Sequence, residues 1–497
     1  MLRILGSPKR LCGEFTRRDF LRVGGLGLAG AALPQLLAWQ QASAAGGSHF
    51  GRAKGVILIH LYGSPSQIEW VDPKPQAPVE VRGELGSIPS TLPGCHVGEL
   101  FPKMAKVMDR VTVLRSLNHA YPIHGVAFAL TGAPITDVGL ELSPRDPRHW
   151  PFFGSVVDYV LDQRQGAETP RSQVPRNMLL PWPFSSRRVG EVPRAGPYAS
   201  YLGTAYDPVA TEFVGKATRG RRKKLGNRYF EGNDPYMGVE PDCYFEVPGA
   251  TRLQGDVTLD RLDRRRRLLE QLDQARRHWG RTAAGRELNR FQQMAYELMN
   301  SPALRKALDV RREPEKVRQL YGYTLFGQGL LTARRLIEAG AKVVTVFWDE
   351  YGLAGSGWDT HWNHYPRMKQ ELAPSFDQGW YGLITDLDSR GLLDEVLVVC
   401  TSEHGRTPKI NKAIGGGRDH WARAYSSLIA GAGVARGRIV GASDRIGSDV
   451  ADRPVSPKDL LATMYHLLGI DPHLKIRDRF GRPTPLVEGN VIAEALA

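Results

Sequence analysis

The sequence has little cysteine, and its thiols lack the spacing that binds metal. Four cysteines occur in 497 residues, and Cys12 falls in the first 44 residues, which have the features of a targeting segment. The remaining Cys95, Cys243 and Cys400 form no CxxC pair, so a disulfide framework and a cysteine-type zinc site are excluded. One disulfide between Cys95 and Cys243 is compatible with the sequence, whereas Cys400 ends an apolar run and is expected in the core.

Long apolar runs and nucleic-acid-binding modules are also lacking after residue 44. No later run is long enough to span a bilayer. The net charge is +14, and the basic blocks 221–224 and 264–267 carry part of it. Neither block has interleaved aromatic residues or a recognisable module, so we expect solvated surface charge and no nucleic-acid partner. A basic surface would nevertheless attract anionic substrates.

Residues 1–44 have the pattern of a twin-arginine signal peptide. Arg17 and Arg18 precede the apolar, glycine-rich stretch 23–37, and Ala42-Ser43-Ala44 offers small residues for cleavage. The stretch is short and interrupted by Pro34, which argues against a stable membrane helix. The sequence therefore predicts export of a folded protein to the periplasm or the medium, with no membrane span after cleavage.

The remaining sequence predicts an α/β fold with a mostly parallel sheet and helices on both faces. Apolar runs that are typical of buried strands alternate with helical patterns. The expected strands are 56–61, 111–114, 342–347, 395–400 and 425–430, and the expected helices are 97–109, 152–161, 325–338, 366–390 and 457–468. Four leucines (Leu259, Leu262, Leu269 and Leu272) predict a further helix. We expect a signal peptide (1–44), a first part of the core (45–164), an irregular and helical insertion or lid (165–320) and a second part of the core (321–497).

An acid and a histidine follow one predicted strand directly. Glu403 and His404 come after the apolar run 395–400, and His420 returns in a glycine-rich loop. In open α/β sheets, ligands bind at the carboxyl ends of the strands. Carboxylates and imidazoles suit zinc, manganese or iron, although a polar loop that caps a helix or pairs with arginine would have the same composition.

A second stretch upstream has the same chemistry. Asp359 and His361 lie in Trp358-Asp359-Thr360-His361, downstream of the apolar run 342–347. Because parallel strands bring such loops to one edge, Asp359, Glu403 and His420 are expected to point into one cleft.

Short motifs form a pattern from residue 63 to residue 457. They are Gly63-Ser64-Pro65-Ser66-Gln67, Asp72-Pro73-Lys74-Pro75, His124-Gly125, Leu130-Thr131-Gly132, Trp358-Asp359-Thr360-His361, Glu403-His404-Gly405-Arg406-Thr407-Pro408, Gly417-Arg418-Asp419-His420-Trp421 and Asp452-Arg453-Pro454-Val455-Ser456-Pro457. With these motifs the chain resembles the DUF1501 family of exported proteins of unknown function. More distantly, it resembles the alkaline phosphatase/sulfatase superfamily.

The resemblance implies one or two divalent metal ions, such as zinc, manganese or calcium, at the carboxyl edge of the sheet. The positions that match the superfamily's ligands are Asp359, His361, Glu403, His404 and His420. The acid that usually ends the first strand is missing, because this chain has His60-Leu61-Tyr62-Gly63 there. Glu69 either supplies the missing carboxylate to the metal or is an ordinary loop glutamate.

The superfamily's nucleophile is also missing. Where sulfatases have Cys-x-Pro-Ser-Arg, this chain has Pro122-Ile123-His124-Gly125-Val126, without cysteine, serine or threonine. Formylglycine chemistry is therefore not expected. His124 is the candidate catalytic residue, as a base, a metal ligand or a phosphoryl acceptor. A core histidine is the alternative for His124 and, more so, for His119.

Two arginines and three tryptophans flank these motifs. Arg406 and Arg418 could bind a phosphate or sulfate group bidentately, or they could form ion pairs with Glu403 or Asp419. Three tryptophans could stack on sugar rings or simply pack against neighbouring side chains; they are Trp358, Trp362 and Trp421.

The sequence thus predicts an exported, metal-dependent hydrolase of phosphate or sulfate esters, acting on an anionic small molecule or a polysaccharide ester. The alternative is a binding protein that kept the fold and lost catalysis, because residues are missing at two expected positions. A third hypothesis, a surface-assembly or polysaccharide-binding partner, rests on the basic charge and the tryptophans alone.

Overall fold

A computed structural model describes residues 49–121, 124–133, 138–165, 174–189, 194–225, 228–248, 290, 294–295, 298–353 and 355–497. Its largest feature is an eight-stranded sheet. We number its strands in chain order: β1 (Gly55–Leu61), β2 (Val111–Leu117), β3 (Asn177–Leu180), β4 (Val209–Ala210), β5 (Val343–Trp348), β6 (Val396–Thr401), β7 (Tyr425–Ala430) and β8 (Arg438–Val440).

The strand order across the sheet is β8-β2-β7-β6-β1-β5-β3-β4. Strand β7 runs antiparallel to both β6 and β2, and the other neighbours run parallel. The first strand lies in the middle, with His60 level with Phe347 of β5 and Thr401 of β6. Strands β1, β5 and β6 therefore end at the same edge.

Helices cover both faces of the sheet, as the apolar pattern of β1 requires. Ile57, Ile59 and Leu61 belong to one hydrophobic cluster, whereas Val56 and Leu58 belong to the other. Alternate residues of a strand point to opposite faces, so each cluster fills one side. The α-helices are Val79–Arg82, Val126–Thr131, Val138–Glu141, Phe153–Arg164, Pro302–Leu308, Glu315–Tyr321, Leu325–Glu338, His364–Arg367, Ala373–Ser389 and Pro457–Leu467, and a π-helical segment, Met368–Leu372, joins two of them.

The short elements include six 3₁₀ helices and six two-stranded sheets among the described residues. The 3₁₀ helices are Met104–Arg110, Ser200–Leu202, Thr204–Tyr206, Val310–Arg312, Leu392–Asp394 and Ala493–Ala495. The two-stranded sheets pair Ser87–Pro89 with His96–Gly98, Glu212–Val214 with Tyr244–Glu246, Gly220–Leu225 with Arg228–Asn233, Gly405–Arg406 with His420–Trp421, Ala442–Ser443 with Val450–Asp452, and Lys475–Arg477 with Pro483–Pro485.

The fold confirms the predicted α/β class with a mostly parallel sheet, and one predicted helix is wrong. Residues 97–109 form a short strand and a 3₁₀ helix instead of an α-helix. Pro102 lies within the segment and disfavours an uninterrupted helix. Gly98 is needed for close packing, because a Cβ there would lie 1.9 Å from the carbonyl oxygen of Glu69.

The segment 165–320, which we expected to be an insertion, contributes two strands to the central sheet. These are β3, parallel to β5, and β4 at the sheet edge. The helix predicted from Leu259, Leu262, Leu269 and Leu272 lies outside the described residues, as does the predicted signal peptide. The domain boundaries expected from the sequence remain predictions.

The three cysteines after residue 44 are buried and free, so Cys95 and Cys243 are not joined by a disulfide. Within the described ranges, every helix is too short or too polar to cross a membrane.

Candidate functional site

The candidate site lies where the loops after β1, β5 and β6 meet. The N–H of Gly63 donates to Glu403 Oε1 at 2.8 Å, and the N–H of Trp358 donates to the carbonyl oxygen of Tyr62, also at 2.8 Å. Gly63 has φ +89°, and a Cβ there would lie 2.3 Å from the nitrogen of Asp359. Only glycine fits this position, and its small size lets the loop of Asp359 reach the loop of Glu403.

Asp359, His361 and His420 meet at one carboxylate oxygen. Oδ1 of Asp359 lies 3.1 Å from Nε2 of His361 and 3.3 Å from Nε2 of His420. The two-stranded sheet that pairs Arg406 with His420 sets the position of His420. On its other side, His361 contacts Oδ1 of Asp419 through Nδ1 at 2.6 Å, which directs the Nε2 lone pair of a neutral ring toward Asp359 and His420.

His404 points an unpartnered nitrogen into the same place. Its Nδ1 contacts the carbonyl oxygen of Gly405 at 2.8 Å, so this nitrogen carries the proton and donates it. Its Nε2 is buried without a hydrogen-bond partner among the described residues. Burial also lowers the pKa of His404 well below 6.5, so the ring is neutral and offers a lone pair.

His124 bridges the two carboxylates of the site. Its Nδ1 lies 2.9 Å from Oε1 of Glu403, and its Nε2 lies 3.6 Å from Oδ2 of Asp359. Burial by itself would lower the pKa of His124, but hydrogen bonds to Asp359 and Glu403 outweigh it and raise the pKa to about 9. His124 is therefore protonated at neutral pH in this arrangement.

Two overlapping groups of side chains have the composition and spacing of metal ligands. His124, His404 and His420 form one group, and Asp359, His361 and His420 form the other. Within each group the ligand atoms lie within 4.8 Å of one another. His420 belongs to both groups and therefore links them.

Both acids are held ionised despite burial. Burial by itself would raise the pKa of Asp359, but Arg406 and the neighbouring histidines hold it well below its usual value. The same opposition holds for Glu403, where the hydrogen bond to His124 and the nearby ring of His60 keep the pKa low. The site therefore contains two ionised carboxylates, each in contact with cationic or imidazole groups.

Arg406 is a structural partner of Asp359. Its side chain is fully buried and donates to Oδ1 of Asp359 and to the carbonyl oxygens of Gly63, Ser64 and Arg418. The structure thus places Arg406 behind Asp359, where it fixes that carboxylate.

Glu69 and Arg418 pair with each other away from the cluster. Arg418 Nε lies 3.1 Å from Oε1 of Glu69, and the same guanidinium donates to the carbonyl oxygens of Val81, Thr407 and Pro408. Burial would raise the pKa of Glu69, but Arg418 and His364 lower it to about 2. Of the six predicted metal ligands, Glu69 is the one that the structure does not bring to the site.

Glu403 supports the cluster from behind. Its carboxylate contacts His124 and the Gly63 N–H, and neither three-residue group contains it. Its Oε2 is buried and lies 3.3 Å from Nε2 of His60, without hydrogen-bond geometry.

Sequence reasoning missed two neighbours of the cluster. The ring nitrogens of His60 are buried with no hydrogen-bond partner among the described residues, and Tyr62 stacks on His124 with ring centroids 5.1 Å apart. Both residues lie at the end of β1. The resemblance predicts an acidic metal ligand at this place, so a histidine or a tyrosine there was not expected to contact the site. His119 lies beside the site, where its Nε2 contacts the carbonyl oxygen of Glu403 at 2.7 Å and its Nδ1 accepts from the N–H of Tyr121.

The family comparison agrees with the motif pattern. The model of the family described as "Protein of unknown function (DUF1501)" matches residues 53–496. A search of the curated proteins gives no significant match.

Similar solved structures include sulfatases and phosphonate monoester hydrolases. Ps i-CgsB is 10% identical, with 87% of this chain and 74% of that chain covered and a TM-score of 0.38. PsFucS1 sulfatase from Pseudoalteromonas sp. is 11% identical, with 88% and 70% covered and a TM-score of 0.35. Phosphonate monoester hydrolase SpPMH from Silicibacter pomeroyi is 11% identical, with 89% and 76% covered and a TM-score of 0.36. Likenesses at this level do not extend to the activity of this chain.

Proposed function

The chain belongs to the DUF1501 family, and we propose that it is an exported, metal-dependent hydrolase of phosphate or sulfate esters. The observation that carries this proposal is the partly buried cluster in which Asp359 and His361 meet His420, and His420 in turn meets His404. Four imidazole and carboxylate groups aimed at one place are unfavourable to bury unless a cation or protons satisfy them.

The donor atoms fit a divalent metal ion. Nε2 of His404 is buried and unpartnered within the described part of the chain, and the burial that lowers its pKa also leaves it unprotonated. Asp359, His361 and His420 supply an ionised carboxylate and two further imidazoles. This mixture of oxygen and nitrogen donors suits zinc or manganese better than calcium, which prefers oxygen. Once bound, the metal would supply Lewis acidity at the ester oxygen.

The residues around the cluster have separate roles in the proposed reaction. We assign proton transfer to His124, which is held between two carboxylates and carries a proton at neutral pH. A protonated imidazole can donate from Nε2 to the departing alcohol oxygen. Arg406 acts through Asp359, whose carboxylate it orients, and Asp419 orients His361 in the same way. Water is the proposed attacking group, since residues 122–126 contain no cysteine, serine or threonine.

One observation favours the alternative, a binding protein without catalysis. Arg406 and Arg418, the arginines expected to bind the substrate anion, already have buried carboxylate partners in Asp359 and Glu69. Such a protein would still bind metal and an anionic ligand, but it would leave the ester intact. Both functions therefore predict the same metal content, but only the hydrolase would turn over an ester.

Elemental analysis combined with an ester screen tests the proposal. Mature protein purified without added metal should contain zinc or manganese in a fixed ratio to protein. It should also hydrolyse at least one aryl phosphate or aryl sulfate, with activity lost on chelation and restored by that metal. Stoichiometric metal without turnover of any ester would favour the binding protein. Absence of metal after incubation with zinc and manganese would contradict both functions.

Export is the second part of the proposal. Its support is the arrangement of Arg17 and Arg18 before an apolar, glycine-rich stretch and a small-residue cleavage site. The twin-arginine route carries folded proteins, so the cluster could be loaded with metal before transport. The periplasm or the medium would then be the site of action, on an anionic small molecule or a polysaccharide ester.

A further inference from the structure

Three tryptophans flank the candidate site, and two of them have a structural explanation. Trp358 is 1% exposed and packs in the core against Trp348 and Phe376. The indole N–H of Trp421 donates to the carbonyl oxygen of Ser448 at 2.6 Å.

Trp362 has no comparable structural role. It is partly exposed and belongs to none of the hydrophobic clusters of the described residues. Its indole N–H has no hydrogen-bond partner in that part of the chain. A large aromatic side chain outside the core and without a hydrogen bond has its surface available to a ligand.

The position of Trp362 places this surface beside the metal-ligand cluster. Its ring is nearly parallel to the imidazole of His361, with an interplanar angle of 15° and ring centroids 6.1 Å apart. His361 in turn lies 3.1 Å from Asp359. A group extending outward from an ester held at the cluster would therefore reach the indole.

The backbone around Trp362 is fixed by close packing. Asn363 has φ +49°, a left-handed conformation that asparagine tolerates, and its N–H donates to the carbonyl oxygen of Ile414 at 2.8 Å. A Cβ on Gly415 would lie 2.9 Å from the Cα of Asn363, and a Cβ on Gly355 would lie 3.0 Å from Cη2 of Trp362. The hydrogen bond of Asn363 fixes the backbone beside Trp362, and the close approach of Gly355 leaves little room for the indole to move on that side. A side chain held in this way loses less entropy when it binds a ligand.

A second exposed apolar residue lies in the turn that is hydrogen-bonded to the residue after Trp362. Ile414 is 87% exposed, although it is a large aliphatic residue. Its carbonyl oxygen is the acceptor for Asn363, so Ile414 belongs to the turn docked next to Trp362. Two adjacent turns thus carry a partly exposed indole and an exposed aliphatic side chain beside the candidate site.

We infer that Trp362, together with Ile414, holds a ring in the alcohol part of the substrate. The preferred substrates would be phosphate or sulfate esters of ring alcohols, whether aryl or sugar, over esters of short open-chain alcohols. Aromatic rings stack on indole, and the C–H faces of sugars pack on it in the same way. This inference rests on the proposed function for the position of the ester group, but the ring contact itself requires no turnover.

Binding measurements test the ring contact separately from catalysis. Phenylphosphonate and methylphosphonate, which are not esters, are titrated into metal-loaded protein by calorimetry. The wild type should bind phenylphosphonate about 10-fold more tightly, and Trp362→Ala should abolish that preference without weakening methylphosphonate. Trp362→Phe should retain most of it. Trp150→Ala is the matched control, because Trp150 lines a separate groove with Lys458 and Leu486.

The results separate this inference from the proposed function. The affinity for glucose 6-phosphate relative to glycerol 3-phosphate measures the same preference for a sugar ring. The inference is supported if either affinity ratio depends on Trp362. If the protein prefers ring-containing probes but turns over no ester, the ring-binding inference is supported and the hydrolase proposal is contradicted. Equal binding of ring and open-chain probes by the wild type would overturn the inference. A preference that survives in Trp362→Ala would overturn it as well.

Discussion

The Nε2 atoms of His361 and His420 lie 3.0 Å apart. Both also lie within 3.3 Å of Oδ1 of Asp359. Because Asp419 occupies Nδ1 of His361, the Nε2 atom of that ring offers a lone pair when the ring is neutral. Two lone pairs and a carboxylate oxygen that face one another repel unless a cation or a proton lies among them.

His420 should be the most sensitive position for metal binding. It belongs to both three-residue groups, whereas His361 and His404 belong to one each. We expect His420→Ala to weaken metal affinity by more than about 100-fold, the upper end for loss of a supporting residue. His361→Ala and His404→Ala should retain more metal. Elemental analysis after dialysis measures the effect, with the exposed His473→Ala as control. Equal metal content in His420→Ala and wild type would contradict the metal centre.

The sequence was sufficient to predict the sheet and the loops that meet at its edge. Strands β1, β5 and β6 are continuous apolar runs, and such runs are typical of parallel strands buried on both faces. The residues that follow β6, Glu403 and His404, could therefore be assigned to the carboxyl edge from the apolar pattern alone.

The partners of the arginines and of Glu69 could not be predicted in the same way. Arg418 and Glu69 are 349 residues apart in sequence, and nothing local indicates that they pair. Arg406 likewise contacts Asp359 through tertiary packing. Ion pairs of this kind depend on how distant loops pack, whereas periodicity reports only which face of an element is buried.

His124 should be required for turnover and not for metal binding. A glutamine at this position can still contact Glu403 but cannot hold a mobile proton. We expect His124→Gln to lower kcat by about 100- to 10,000-fold, as is usual for loss of a general acid or base. The metal content should stay unchanged by elemental analysis. Simultaneous loss of metal and activity would instead make His124 a ligand together with His404 and His420.

Glu69 should contribute to stability and not to the metal site. Its folded-state pKa of about 2 lies below the ordinary 4.5. Its contribution is therefore fully present above pH 4.5, and it is lost as the pH falls toward 2. In metal-free protein, Glu69→Gln should lower the free energy of unfolding by about 3–5 kcal/mol at pH 7, because Arg418 would remain buried without a counter-ion.

Urea unfolding of wild type and Glu69→Gln at several pH values between 7 and 2 measures this contribution. The difference between the two proteins should shrink as the pH approaches 2, where the wild-type carboxyl is protonated as well. The variant should bind metal like the wild type. Reduced metal content with unchanged stability would instead support Glu69 as the missing ligand.

Arg17 and Arg18 should be required together for export. Replacing both by lysine keeps the charge of the leader and removes the arginine pair. We expect the precursor to accumulate inside the cell, with cleaved protein lost from the periplasm and the medium, as followed by fractionation and immunoblotting. Arg3→Lys is the matched control in the same leader. Undiminished export of the double variant would mean that another route is used.

Asp419 should tune metal affinity through the ring of His361. Its Oδ1 lies 2.6 Å from Nδ1 of His361, while its side chain is 55% exposed and lies outside both ligand groups. A carboxylate in this position fixes the ring tautomer and makes the opposite nitrogen a better donor. We expect Asp419→Asn to weaken metal affinity about 10- to 100-fold, whereas Asp419→Glu should recover part of it. Because the side chain is exposed, the unfolding midpoint of the metal-free protein should change little. Competition titration with a chelator measures the affinity, and unchanged affinity in Asp419→Asn would contradict the proposed effect of the Asp419 carboxylate on His361.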